Sequence, residues 1–471
     1  MRRVLRDPAW SFLLIGGFVG FVLLLVMPPM HAIDETSHFA RIYQLSEGNL
    51  QTTPSVFDDA ARKGSGVCLP SEVFRDLNRK SVELYFENAP YVNYGAGEPA
   101  QGDPVLVAAG PDRQCPPGTK YLDISTFAWY SPVPYLPQVA VFSVLRPLGA
   151  STNTLAIAGR LVNLVVFLGL VFVAIRRAPR ARWALCISAL LPIVMFQANS
   201  LSPDTLTTAV AILVVSSALR VLDHEGPLPR SMFWEAIGLS LVLGLVKPTY
   251  VVIALLYLLP LLDRARRRDS WKLLVPVALG GLASTAWQRA NSSRFVCDVR
   301  FFEIEPNPHE QVRAILTSPW RFLEAVGKAG FHQSGRWVRD VVPIMDRVMI
   351  WPLVVSVLVA VGFVVLACQQ DRLPLRPLRI SERVAILGVF VIGVLAVMGG
   401  WLVYCNAPVL DVVVHPSARL FAPFIPVLFV AIAPDGTGAT RFGNLAVPPA
   451  VGLVVFYVIW LFEVARSVKV V

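Results

Sequence analysis

The feature that most limits what this chain can fold into is a succession of long apolar runs. They fall near residues 10–27, 132–148, 153–175, 183–199, 204–222, 232–246, 248–262, 271–289, 347–368, 384–404, 418–433 and 446–465. Such runs read as membrane-crossing helices, because about 20 apolar residues rising 1.5 Å each match a hydrocarbon layer ~30 Å thick. Composition agrees: with 55 % hydrophobic and 16 % charged residues and a mean hydropathy of +0.58, the 471 residues carry too little polar surface for a soluble protein. The first run follows MRRVLR, is longer than a signal-peptide core and has no small-x-small site after it, so it reads as an uncleaved span. The expected fold class is an all-α polytopic membrane protein.

Arginine sets the orientation. The net charge of +10 comes from 42 basic against 32 acidic residues, only seven of the basic ones lysine. In a membrane chain that surplus bears on topology, not on nucleic acid. Arg2, Arg3 and Arg6; Arg176, Arg177, Arg180 and Arg182; Arg264, Arg266, Arg267 and Arg268; and Arg372, Arg376, Arg379 and Arg383 form four clusters that belong on the cytoplasmic side. If every run crossed, Arg176–Arg182 would face outward. The run Pro132–Gly149, with four prolines and Arg146, is the weakest span and reads as a helix lying along the outer interface. About eleven transmembrane helices then remain, with all four clusters inside. The chain divides into a first span (1–28), an extracytoplasmic loop with an interfacial helix (29–152), spans 2–7 (153–289), a second extracytoplasmic loop (290–346) and spans 8–11 (347–471).

This orientation gathers several reactive residues on the outer side. IDETSHFAR (33–41) places Asp34, Glu35, His38 and Arg41 on neighbouring faces if helical, an arrangement that suits a general base or a divalent metal, and equally an ordinary acidic helix start. Asp204, in SLSPDTL, sits at an outer mouth, where Ser202-Pro203-Asp204 is also a plain way to begin a helix. Arg160 lies about two turns inside a span, either facing an anion or snorkelling to headgroups. Lys247, His415 and Arg419 stand at outer span ends, where a headgroup or a bound phosphate is the natural partner. Lys247 separates two segments of 15 residues, each about 22 Å long as an α-helix and so barely spanning. Cys68 and Cys115 pair if the first loop faces an oxidising compartment; two free thiols are the other reading. No Walker loop, dinucleotide fingerprint, zinc-finger spacing or GxSxG points to a soluble nucleotide donor or a serine nucleophile.

The order of these features resembles the GT-C superfamily of integral membrane glycosyltransferases. More narrowly, it is similar to a bacterial membrane-protein family long filed as a domain of unknown function, through D-E-x-x-H-F-x-R (34–41), Y-x-P-x-x-Y (130–135), R-L-V-N (160–163), F-Q-x-x-S-x-S-P-D (196–204), K-P-x-Y (247–250) and an R-[YL]-F-x-P segment (419–423). Ile33 stands where a proline usually precedes the acidic pair, and HPSARLF replaces a glycine-rich stretch. The resemblance implies inverting transfer of a sugar from a polyprenyl phosphate to a cell-envelope glycan or lipid acceptor, on the outer face of a bacterial plasma membrane with the N-terminus cytoplasmic. It implies Asp34 or Glu35 as base with Asp204 assisting, and His38, Arg41, Arg160, Lys247, His415 and Arg419 as the substrate- and phosphate-binding set. Mg2+ or Mn2+ through Asp34 and Asp204 is an option, and no nucleic acid is involved. The competing readings are a lipid-linked sugar flippase or transporter, a glycan ligase or acyltransferase using His38 or His415, and an inactive envelope scaffold.

Overall fold

A computed structural model describes residues 6–32, 34–56, 63–87, 115–263, 270–291, 307–341, 353–368, 376–405, 416–434 and 449–469. Helix α1 (Pro8–Val26) begins where Asp7 accepts the backbone N–H groups of Ala9 and Trp10 and Pro8 presets the first turn. Helix α5 (Thr152–Arg177) is capped by Ser151, which accepts from Thr154 at 3.2 Å. With α8 (Asp204–Asp223) and the helix Ile380–Cys405, these are the described helices long and apolar enough to cross a bilayer. Shorter apolar helices cover Val133–Leu145, Pro248–Leu262, Val355–Ala367, Ala418–Ile432 and Val451–Phe462. α1 and α5 expose Phe18, Leu25, Leu161 and Val165, whereas α8 is enclosed on nearly all sides. An apolar exterior around a buried central helix is the pattern lipid solvation produces.

Small residues set the closest crossings. α9 (Arg230–Val246) packs on the helix Leu274–Asn291, and a Cβ on Gly244 would collide with the Gly280 carbonyl, while one on Gly280 would sit 2.7 Å from Ser240 O. Ser240-x-x-x-Gly244 thus lets two backbones touch, as small-xxx-small pairs do in membranes. Pro248–Leu262 winds as a 3-10 helix over its 15 residues. At about 2.0 Å per residue it reaches ~30 Å, so the tighter winding gives a segment too short as an α-helix the length of a hydrocarbon layer.

Ion pairs collect the arginines at one end. Asp7 meets Arg176 and Arg182, Glu235 meets Arg177 and Arg220, Asp223 meets Arg180, and Asp263 meets Arg379. Arg383 donates to the carbonyls of Ala431 and Ala433. The start of α1, the end of α5, the end of α8, the start of α9 and the start of Ile380–Cys405 therefore share a level. The opposite helix ends carry Asp34, Asp204, Lys247 and Arg419. That second end is covered by α2 (Glu35–Ser46), α3 (Ser71–Glu87) and a three-stranded antiparallel sheet of β1 (Thr53–Val56), β2 (Lys63–Pro70) and β3 (Thr119–Asp123), in order β1-β2-β3. The helical bundle agrees with the all-α expectation, and this small sheet is an addition to it at one end. Val67, Leu69 and Leu122 point inward from it, and the Cys68–Cys115 disulfide closes its open loop.

α4 (Leu136–Leu145), the segment read as interfacial, does not traverse the bundle. Ser131 before it hydrogen-bonds Leu245 O, next to Lys247, and Arg146 after it bonds Glu47 and Ser46 O at the end of α2. Both ends stay on the carboxylate side, with Leu136, Val144 and Leu148 exposed along it.

Candidate functional site

Asp34 is the residue before α2 and adopts φ +60°, the left-handed region that aspartate tolerates better than most residues other than glycine. Its carboxylate makes no cap bond. Oδ2 pairs with Nη2 of Arg419, and the Asp34 side chain has no other hydrogen-bond or ion-pair partner among the described residues, while its backbone carbonyl accepts from His38 N at 3.1 Å. Arg419 comes from the 3-10 turn Ala418–Phe424, held in place by the Tyr250 hydroxyl on Leu420 O at 2.9 Å. Its Nε lies 4.0 Å from Asp204 Oδ2, is buried, and makes no hydrogen bond among the described residues.

Asp204 opens α8, where Ser202 Oγ accepts its backbone N–H at 3.2 Å, so the helix-start role holds alongside the charged one. Its carboxylate receives the Lys247 ammonium on Oδ1 and Gln197 Nε2 at 3.3 Å on Oδ2. Lys247 follows α9 in extended conformation, with its Nζ 5.1 Å from the Tyr130 ring centroid. The result is an alternating chain, Asp34–Arg419–Asp204–Lys247, of balanced charge. Asp34, about one third exposed, is its most accessible member and Arg419 the more accessible cation.

Glu35 and Arg160, although predicted for the site, are committed to each other. Arg160 Nε donates to Glu35 Oε1 at 2.7 Å, Nη2 bonds Oε2, and the same guanidinium reaches Met27 O at 2.7 Å and Pro28 O at 2.8 Å. Glu35 also accepts from Leu201 N at 3.2 Å and Ala32 N at 3.3 Å. Both side chains are fully buried. The four bonds on the Glu35 carboxylate and the four from the Arg160 guanidinium, all to internal partners, hold both groups away from any substrate. One turn on, Asn163 holds the chain on both sides of Asp204 by donating to Ser200 O at 2.7 Å and Thr205 Oγ1 at 3.0 Å. The R-L-V-N motif is thus a brace between the two acid-bearing segments.

His38 is buried beneath the cluster, with Nδ1 3.0 Å from the Tyr135 hydroxyl and its ring edge-on to Phe127. Burial pushes its pKa down to about 3, against the raising influence of Asp34 and Asp204, so it is neutral at neutral pH. Arg41 holds Gln44 Oε1 at 2.6 Å and Leu50 O at 3.0 Å and fastens the chain after α2. His415 lies outside the described residues. The donors suit a divalent cation poorly: each carboxylate is matched to a guanidinium or ammonium, and no three His, Cys, Asp or Glu side chains gather as a ligand set among the described residues. Tyr130, Tyr135, Gln197 and Tyr250 were not singled out from sequence as site residues, although each stands inside a quoted motif. Gln197 and Tyr250 stand in the same motifs as Asp204 and Lys247, whereas nothing charged near Tyr130 and Tyr135 in the sequence marks them.

Apolar helices around a buried charged cluster define a helical membrane protein. The sequence matches the profile of the family described as predicted membrane protein (DUF2142) over residues 17–428, which includes every motif from Asp34 to Pro423. The chain belongs to that family. No curated protein and no solved structure matches it.

Proposed function

We propose that the protein is a GT-C-type glycosyltransferase of the bacterial plasma membrane, with about eleven spans, a cytoplasmic N-terminus and an extracytoplasmic site. Its donor is a polyprenyl-phosphate sugar and its acceptor a glycan or glycolipid of the cell envelope. One observation carries the reading: a partly exposed carboxylate with an open oxygen, Asp34, stands on a guanidinium that also faces Asp204, at the bundle end opposite the arginine clusters. The side rule for arginine makes that end extracytoplasmic.

In this reaction the acceptor hydroxyl gives its proton to Asp34 while its oxygen attacks the anomeric carbon from the face opposite the phosphate. The carbon–oxygen bond to the donor phosphate breaks, its electron pair leaves on the polyprenyl phosphate, and the sugar inverts. Arg419 offsets the charge growing on the leaving phosphate, with Lys247 and Asp204 fixing it from behind. Glu35 and Arg160 take no chemical part and set the distance between the two acid-bearing segments.

Membranes supplied with a radiolabelled polyprenyl-phosphate sugar test this. Asp34→Asn should leave a folded protein whose transfer is about 10²- to 10⁴-fold slower, as removal of a general base does. Asp204→Asn should also abolish labelled glycan. Undiminished labelling in Asp34→Asn, or a lipid-linked sugar that merely stays on the inner leaflet, would favour the flippase instead.

A further inference from the structure

The chain between Asn307 and Val341 sits in what the sequence suggests is a water-facing loop, yet it is built otherwise. Two helices, Pro308–Thr317 and Pro319–Val341, meet at Ser318. Their inner side packs on the bundle: Gln311 Nε2 donates to Leu402 O at 3.3 Å, Phe322 lies against Gly399, and Ala325 and Ala329 are buried. Beside that inner side runs a large apolar strip left uncovered by protein, with Leu316 and Trp320 each 76 % exposed, Phe331 81 % exposed, and Leu323 between them. Arg321, Glu324 and Lys328 form a separate charged strip next to it, with Lys328 and Glu324 paired at 2.7 Å.

The level of this pair identifies what covers the strip. In the spanning helix Ile380–Cys405, Arg383 lies at the arginine end. From Arg383 to Leu402 is a rise of about 29 Å, the thickness of a hydrocarbon layer. Leu402 therefore stands at the far hydrocarbon edge, and Gly399 lies about 5 Å deeper. Helices docked at Leu402 and Gly399 lie at the boundary, where an apolar strip meets acyl chains and a charged strip meets headgroups. Trp320 is of the type that anchors at this depth.

We infer that Pro308–Val341 is an interfacial helix pair inserted into the leaflet on the side of the Asp34 cluster, its Leu316–Trp320–Leu323–Phe331 strip among acyl chains and Arg321 and Lys328 at lipid phosphates. The pair also touches the cation-bearing turn: Trp337 Nε1 donates to Pro416 O at 3.0 Å and its ring lies 5.0 Å from that of Phe421. A lipid-seated helix thus adjoins Arg419, wherever the reaction itself stands. This inference does not depend on the glycosyltransferase reading.

The test uses the full chain in proteoliposomes, with Cys186 and Cys368 replaced by Ala and an environment-sensitive fluorophore on Phe331→Cys or Lys328→Cys. Brominated acyl chains should quench the label at 331 several-fold more than at 328, with blue-shifted emission at 331, while aqueous iodide should do the reverse. Iodide quenching at 331 equal to that at 328 would overturn the inference. So would protection of 331 from both quenchers, which would mean that protein, a partner or a second copy, covers the strip.

Discussion

The buried Glu35–Arg160 pair offers the most quantitative perturbation. Arg160→Met leaves the Glu35 carboxyl sealed from water and without its guanidinium, and strips the donors from Met27 O and Pro28 O. Breaking a buried pair on one side costs about 3–5 kcal/mol. Glu35→Gln is milder, since its amide oxygen still accepts from Arg160 and the guanidinium keeps both carbonyls; the loss there is about 1.5–3 kcal/mol, that of a charge-assisted hydrogen bond. In Glu35→Leu/Arg160→Met no charge is stranded, so the double variant should lose less than the sum of its single changes, with a coupling of about 0.5–3 kcal/mol. Equilibrium unfolding in mixed micelles, followed by tryptophan fluorescence, measures the wild type, the single variants Arg160→Met, Glu35→Gln and Glu35→Leu, and the double variant. An Arg160→Met loss below about 1 kcal/mol, the range of exposed pairs, would refute the reasoning that this brace is buried and joins the two acid-bearing segments.

The backbone contact between α9 and Leu274–Asn291 predicts that Gly244→Ala costs about 1–3 kcal/mol by overpacking, whereas Gly281→Ala, with open space around it, is neutral or slightly stabilising; unfolding midpoints distinguish them. His38, held neutral by burial with a pKa near 3 against 6.5 unfolded, makes the unfolded chain bind the extra proton between those values. Stability is then full above pH 6.5 and falls on acidification, by up to about 2 kcal/mol between pH 6.5 and 5, and His38→Gln should flatten that slope in pH-dependent unfolding. Reducing Cys68–Cys115, which closes a separation of 47 residues, should destabilise the sheet-bearing region at the Asp34 end by about 2–4 kcal/mol, read as earlier proteolysis of that region under reductant.

The mostly helical, apolar character of the chain was legible because hydrophobic run length is a strong signal in lipid. The prolines and Arg146 of 132–149 marked a segment that stays on one side, and Ser131 and Arg146 hold it there. That Asp34 and Asp204 share one bundle end, where Arg419 bridges them, follows from counting apolar runs between the arginine clusters. Roles within the cluster were not legible. Glu35 and Asp34 are adjacent in sequence, but the left-handed turn at Asp34 sends one carboxylate to Arg419 and the other to Arg160, 125 positions away. Spacing cannot encode which partner a distant helix will offer. The 3-10 winding of Pro248–Leu262 was hidden for a related reason, since an apolar run has the same hydropathy in either helix and only the required length selects the tighter one.

The most direct measurement is a structure of the protein with polyprenyl phosphate bound. The account predicts phosphate oxygens about 2.7–2.9 Å from the Arg419 guanidinium, the distance of a charge-assisted bond, with Asp34 released from that guanidinium and open to an acceptor. Phosphate seated at the other end beside Arg180, or an Arg419 still paired with Asp34 while the lipid is bound elsewhere, would contradict it.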